Sequence, residues 1–196
     1  GNISDMLLCW GVSCGNMETA AIALDLFSTL FETSDLRVLN LIIESISIVA
    51  RCLIKSEQQK DSTLISCKYI SAAVRALISI SKSLIAQNRI SGITDIFSIA
   101  ISLLGVYGPI FEHTVSDVLQ LIITLIDANV PNIFSIEKTF SDDFPDLKEL
   151  YFAVLRSCKD VNVLFKFAVK ILKLPRNILS SNSDFSCYLI PLLPML

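Results

Sequence analysis

Residues 34–55 read SDLRVLNLIIESISIVARCLIK, and this stretch decides the fold class. Ser34 and Asp35 are N-capping residue types. After them Leu36, Leu39, Ile42, Ile46, Val49 and Leu53 recur at steps of three or four, the spacing of one face of an α-helix. The polar residues Arg37, Asn40, Glu44, Ser47, Arg51 and Lys55 form one narrow stripe, and nearly all the remaining circumference is apolar. A helix that meets water along so little of its surface is expected to pack on several sides.

The same pattern continues outward in both directions. Upstream, Asn16 can cap a helix carrying Met17, Ala20, Ala21, Leu24, Phe27, Leu30 and Phe31, and Ser4 can cap a short one through Trp10. Tight turns between these three helices favour antiparallel neighbours. Downstream, the polar loop Ser56 to Asp61 precedes a long helix, opened by Asp61 or Ser62, with Ile65, Tyr69, Ala73, Ala76, Ile80 and Leu84 on one face. Ser91 opens the next, through Leu104, and the run Gly105 to Pro109 ends it. Thr114 with Asp117 three residues on reads as a capping-box variant ahead of Val115, Val118, Leu119, Ile122, Leu125 and Ile126. Two more helices are expected, one from Asp143 and Pro145 to about Cys158 and one after Asp160 to Leu174.

Strand alternation occurs only inside longer helical patterns. The chain is therefore expected to be all-α. Pairing neighbours gives helix pairs near Met17 to Lys55, Ser62 to Tyr107 and Thr114 to Cys158, at a period close to that of HEAT-type repeats. The expected fold is a right-handed stack of antiparallel helix pairs, a HEAT/armadillo-like α-solenoid in a single domain over 1–196; a closed helical bundle is the alternative. A chain that starts at Gly1 without Met and ends in the greasy Leu189-Ile190-Pro191-Leu192-Leu193-Pro194-Met195-Leu196 reads as a piece of something longer.

Composition narrows the function classes. Sixteen basic and 19 acidic residues give a formal charge of −3, which disfavours general nucleic-acid binding. The chain is 53% hydrophobic and 18% charged, with mean hydropathy +0.63, so it is no disordered segment. The longest uncharged run, Ile96 to Phe111 between Asp95 and Glu112, contains two glycines and a proline and falls short of the ~20 residues that span a bilayer. Cys9, Cys14, Cys52, Cys67, Cys158 and Cys187 lack zinc or CxxC spacing and read as free, mostly buried thiols of a reducing, cytoplasmic compartment.

Trp10-Gly11-Val12-Ser13-Cys14, then Ala20-Ala21 and Leu26-Phe27, continued by Asp35, Val38-Leu39, Leu41 and Glu44-Ser45, resembles a segment of the Furry family of cell-morphogenesis proteins over residues 6 to 50. The resemblance implies a helical-repeat element of a very large scaffold. It also implies NDR-type kinase and Mob co-activator partners, polarised growth and a place at the cell cortex or cytoskeleton, with no catalytic residues. By spacing alone, Trp10 and Cys14, four apart, read as packing residues on one helical face.

No chemistry-bearing constellation emerges, and neither a cofactor nor a metal site is expected. His113 has no His, Cys or Asp at ligand spacing and reads as a solvated turn residue. No serine lies in Gly-x-Ser-x-Gly, and Gly11 to Gly15 lacks the Gly-Lys-Ser/Thr of a phosphate loop. Asp142 and Asp143 suit helix capping. Charge is instead regional: Arg51 to Arg89 holds seven bases and two acids, net +5; Glu112 to Glu149 two bases and eight acids, net −6; Arg156 to Arg176 six bases and one acid, net +5. Lys159, Lys166, Lys170 and Lys173 recur at seven, four and three, lining one helix face, and form the candidate docking stripe for an acidic or phosphorylated partner. A solvated stripe, or pairing with the chain's own Asp142, Asp143 and Asp146, is the plainer reading. The expected function is a non-catalytic protein-interaction scaffold, with a lipid-handling or membrane-associated helical protein as the alternative and an enzyme third.

Overall fold

Local chemistry sets the start of α2 and the end of α4 among the helices of this chain. The computed structural model describes residues 3–30, 36–55, 60–107 and 114–128, together with positions 162, 163, 165, 166 and 169. Among these described residues 92% are helical and none forms a strand. The long helices are α1 (Ile3–Ser13), α2 (Met17–Leu30), α3 (Leu36–Lys55), α4 (Lys60–Ala86), α5 (Ile90–Tyr107) and α6 (Val115–Asp127). Asn16 caps α2 as its residue type suggests: its Oδ1 accepts from the backbone N–H of Glu18 and of Thr19, both at 3.0 Å. At the other end of α4, Asn88 sits at φ 55°. There Arg89 N–H donates to the Leu84 carbonyl at 2.9 Å and Asn88 N–H to the Ile85 carbonyl at 3.0 Å, a Schellman-type stop with Asn in the left-handed position.

Two expected caps work differently. Thr114 makes no side-chain cap hydrogen bond to α6: its backbone, at φ −99° and ψ −12°, is helical rather than extended as a capping residue's is, and Asp117, the other half of the expected box, is drawn into an ion network with α4. Ser4 lies inside α1, where its hydroxyl donates to the Leu30 carbonyl at 3.4 Å. The caps at Ser34 and Asp35, the loop Ser56 to Gln59, and most of the two expected C-terminal helices lie outside the described residues.

Helix ends are closed by hydroxyls from neighbouring helices. The last four carbonyls of a helix have no intrahelical partner. In α2, Leu30 receives Ser4 from α1, and Ser28 receives the Ser79 hydroxyl of α4 at 2.8 Å. In α1, Gly11 receives the Tyr69 phenol of α4 at 3.0 Å. Ser45 of α3 in turn hydrogen-bonds the Tyr69 oxygen. Tyr69 has one proton to give, so Ser45 is the donor of that second bond.

These contacts also fix direction. Ser4 meets Leu30 and Gly11 meets Leu24, so α1 runs antiparallel to α2. Met17 meets Ser66, Asp25 meets Arg75 and Ser28 meets Ser79, so α2 and α4 run parallel with sequence offsets of 49, 50 and 51. Among the described residues the substantial contacts join α1 to α2, α3 to α4 and α5 to α6. They also run along two files, α1–α3–α5 and α2–α4–α6, with α4 touching α5 as well. Pairing α2 with α3, as neighbours in sequence, is therefore off by one helix: α2 packs chiefly on α1 and α4. The reason lies in α1, which continues to Ser13 and approaches α2 closely at Gly11, where no Cβ intervenes against Leu24.

The core follows this arrangement. Along α4, Ile70, Ala72, Ala73, Val74, Ala76, Leu77, Ile80 and Leu84 are all buried, and the exposed residues Leu64, Lys68, Lys82 and Ala86, with half-buried Arg75 between them, form one line. Residues 64–86 are long and apolar enough to cross a membrane, yet 67% of that window is buried against protein. In α6 the packing on several sides expected of a narrow wet stripe is present, with Val115, Val118, Leu119, Leu121, Ile122, Ile123 and Leu125 buried. In α3 it is incomplete. Leu39, Ile42, Ile46, Val49 and Ala50 are buried, whereas Leu41 and Ile48 remain exposed because its substantial contacts, to α1, α4 and α5, cover one side.

Candidate docking groove between α2 and α4

Small residues open a groove on the file α2–α4–α6. Ala21 on α2 and Cys67 on α4 are both buried and too short to fill the space between two parallel helices, so they form a floor. Ile22 and Leu64 stand at the rims, 62% and 45% exposed. The resulting open cleft holds about 600 Å³ and is lined further by Glu18, Asp25, Lys68, Ser71, Arg75 and Asp117. On α2 the lining residues step 18, 21, 22, 25, and on α4 64, 67, 68, 71, 75, so at 1.5 Å per residue the groove runs for roughly 10 Å along α2 and roughly 16 Å along α4.

One end of the groove is bolted by an ion network. Arg75 of α4 donates from Nε to Asp25 Oδ1 at 2.9 Å and from Nη2 to Asp25 Oδ2 at 3.0 Å, a bidentate pair with α2. Its Nη1 donates to Asp117 Oδ2 of α6 at 2.7 Å, and the Ser71 hydroxyl donates to the same oxygen at 2.7 Å. One guanidinium thus joins three helices of a file. The side chains of Arg75, Asp25 and Asp117 keep 40%, 46% and 28% of their exposure, so each pair contributes about 0.2–1 kcal/mol, with geometric specificity the larger effect. The sequence carried a sign of this face in Lys68, Arg75 and Lys82, spaced by seven on the otherwise buried α4; that spacing was not among the expected features.

Burial shifts two titratable groups in and beside the groove. Burial pushes the Cys67 thiol up from its ordinary value, which keeps it protonated and weakly nucleophilic at neutral pH. Burial likewise pushes the Tyr69 phenol up, against the lowering effect of the Ser45 hydrogen bond. Among the described residues no group of three His, Cys, Asp or Glu side chains is placed to hold a metal ion.

The expected site residues are placed as follows. Lys166 lies on a helical segment and is exposed, beside Phe165. Lys159, Lys170 and Lys173 lie outside the described residues, as do His113, Asp142, Asp143 and Asp146. Trp10 departs from its expected packing role. The inner face of α1 is set by Ser4, Leu8 and Gly11, so Trp10 falls on the outer face with Ile3 and Met6, 55% exposed, while Cys14 is half-buried against the core. Of the described free cysteines, Cys67 is buried and Cys9 exposed. A comparison with family models, curated proteins and solved structures finds no match to the chain.

Proposed function

We propose that this chain is a non-catalytic protein-interaction scaffold built of stacked helix pairs, with the α2–α4 groove as a docking surface. The observation that carries the reading is the geometry of the file: α1 antiparallel to α2, α2 parallel to α4 at a near-constant offset, and a chain of contacts α2–α4–α6 beside α1–α3–α5. That is the contact pattern a helical solenoid needs, and such stacks present grooves without requiring chemistry. A groove with apolar rims and a charged end suits a protein segment.

The Lys159, Lys166, Lys170 and Lys173 stripe is a second docking surface in this reading, for an acidic or phosphorylated partner; the exposure of Lys166 agrees with it. The resemblance of residues 6 to 50 to the Furry family supplies the partners to try first, NDR-type kinases and Mob co-activators, in a cytoplasmic, cortical or cytoskeletal setting. Two measurements test the reading. Small-angle scattering of the full chain should give a radius of gyration above the about 16 Å of a closed domain of this length. Purified kinase and Mob proteins should bind the wild type, weaken with Leu64→Asp in the groove, and lose on-rate with Lys166→Glu plus Lys170→Glu in the stripe. A compact particle would return the fold to the closed bundle, binding unaffected by either variant would remove both surfaces, and lipid extracted from the purified protein would favour lipid handling.

A further inference from the structure

Glu18 and Lys68 stand on opposite banks of the groove, and the offset that joins α2 to α4 places them at nearly one level: 17 meets 66 and 25 meets 75. At the Asp25–Arg75 level the banks are closed by a bidentate ion pair. At the Glu18–Lys68 level they are not. Both side chains are exposed and make no ion pair with each other, and between them lies the dent floored by Ala21 and Cys67 and rimmed by Ile22 and Leu64.

Resting on the reading of the groove as a docking surface, we infer that its occupant is a short amphipathic helix of a protein partner, carrying one large apolar anchor flanked by one basic and one acidic side chain. The anchor fills the dent, where it loses water against Ile22 and Leu64. The base meets Glu18 on the α2 bank and the acid meets Lys68 on the α4 bank. A helix is the shape that fits, since an amphipathic helix lays its apolar face into such a groove through anchors three and four apart. Residues four before and four after an anchor also fall about 40° to either side of it, one toward each bank. Reversing the helix exchanges the two flanking positions, so Lys-then-Glu and Glu-then-Lys sequences both satisfy the banks, in opposite directions. The occupant is thus defined by having one charge of each sign. Two like charges leave one bank facing its own sign, and an all-apolar helix leaves both unanswered.

The test uses three fluorescein-labelled, Ala/Gln-based helical peptides with a central Leu, bearing Lys and Glu, Lys and Lys, or Glu and Glu at the flanking positions, titrated with the full chain at low salt. The mixed peptide should bind the wild type about two- to fivefold more tightly than either like-charged one, the range expected of exposed pairs. Lys68→Glu should move the preference to Lys/Lys and Glu18→Lys to Glu/Glu, each preference shrinking in 0.5 M salt. Leu64→Asp should remove binding of all three. Equal binding of the three peptides, no binding of any, or a preference for the mixed peptide that survives either single charge reversal overturns the inference. The docking reading is judged separately: it stands if Leu64→Asp weakens a purified protein partner, whatever the peptides do.

Discussion

The Tyr69 phenol donates a hydrogen bond to the Gly11 carbonyl oxygen at 3.0 Å, joining the middle of α4 to the last turn of α1. Three elements depend on that one hydroxyl. It satisfies a carbonyl that α1 cannot satisfy itself, and it accepts from Ser45 of α3. Tyr69→Phe keeps the ring and removes only the oxygen. It should cost about 1–3 kcal/mol in urea unfolding, since it leaves a buried carbonyl unpaired. Ser45→Ala should cost less in the Tyr69→Phe background than in the wild type, a coupling that a double-mutant cycle reads directly.

Gly11 also sets how closely α1 and α2 approach. A Cβ at Gly11 would lie 2.6 Å from both Cγ and Cδ2 of the fully buried Leu24, so Gly11→Ala should destabilise by about 1–3 kcal/mol. Gly15 is the internal control. A Cβ there meets nothing within 4 Å and its φ is not positive, so Gly15→Ala should stay within about 1 kcal/mol of wild type, on the stabilising side.

Arg75 acts through shape as much as charge. Arg75→Lys keeps the positive charge but cannot bridge Asp25 by two parallel bonds while reaching Asp117. It should lose about 0.5–1.5 kcal/mol at low salt, and the difference should narrow in 0.5 M salt because the groups are partly exposed. Equal stability of the Lys and Arg forms across salt would show that the forked guanidinium geometry adds nothing beyond its charge.

Alkaline pH should lower the stability of the fold through two buried groups. Cys67 and Tyr69 are both raised above their ordinary values of 9.0 and 10.0 by burial, so the folded state holds their protons more tightly than the unfolded chain does. Their contribution is full below those ordinary values and is lost as pH rises from about 9 through the folded values. Urea midpoints should fall over that window, with a smaller fall in Tyr69→Phe. Alkylation at pH 8 should reach Cys9 well before Cys67.

Trp10 is the only tryptophan, and it projects from α1 beside Ile3 and Met6. Its fluorescence in the dilute protein should be red-shifted and readily quenched by acrylamide. Three exposed apolar side chains on one face form a patch that self-association would cover. If the protein associates through this face, quenching should fall as concentration rises, and Ile3→Ser plus Met6→Ser, which leaves the tryptophan in place, should abolish the change.

The sequence alone determined the secondary structure of the described part. Periods of three and four in residues 36–55 and 60–86 are a property of the helix itself, as is an Asn16 side chain that can reach the next free amides, so both were legible without knowing any neighbour. What only the tertiary structure decided is which helix lies beside which. Periodicity marks an apolar face but carries no address, so α2 could be matched to α3 by proximity when its contacts run to α1 and α4. The groove was illegible for the same reason: Ala21 and Cys67 are unremarkable as single residues, and Asp25, Arg75 and Asp117 are isolated charges on three separate helices. They become a floor and a clamp only because the 49–51 residue offset between α2 and α4 brings Ala21 level with Cys67 and Asp25 level with Arg75, while the packing of α6 on α4 supplies Asp117. Trp10 follows the same rule, since its exposure depends on Gly11, one position further on, being the residue that α2 approaches.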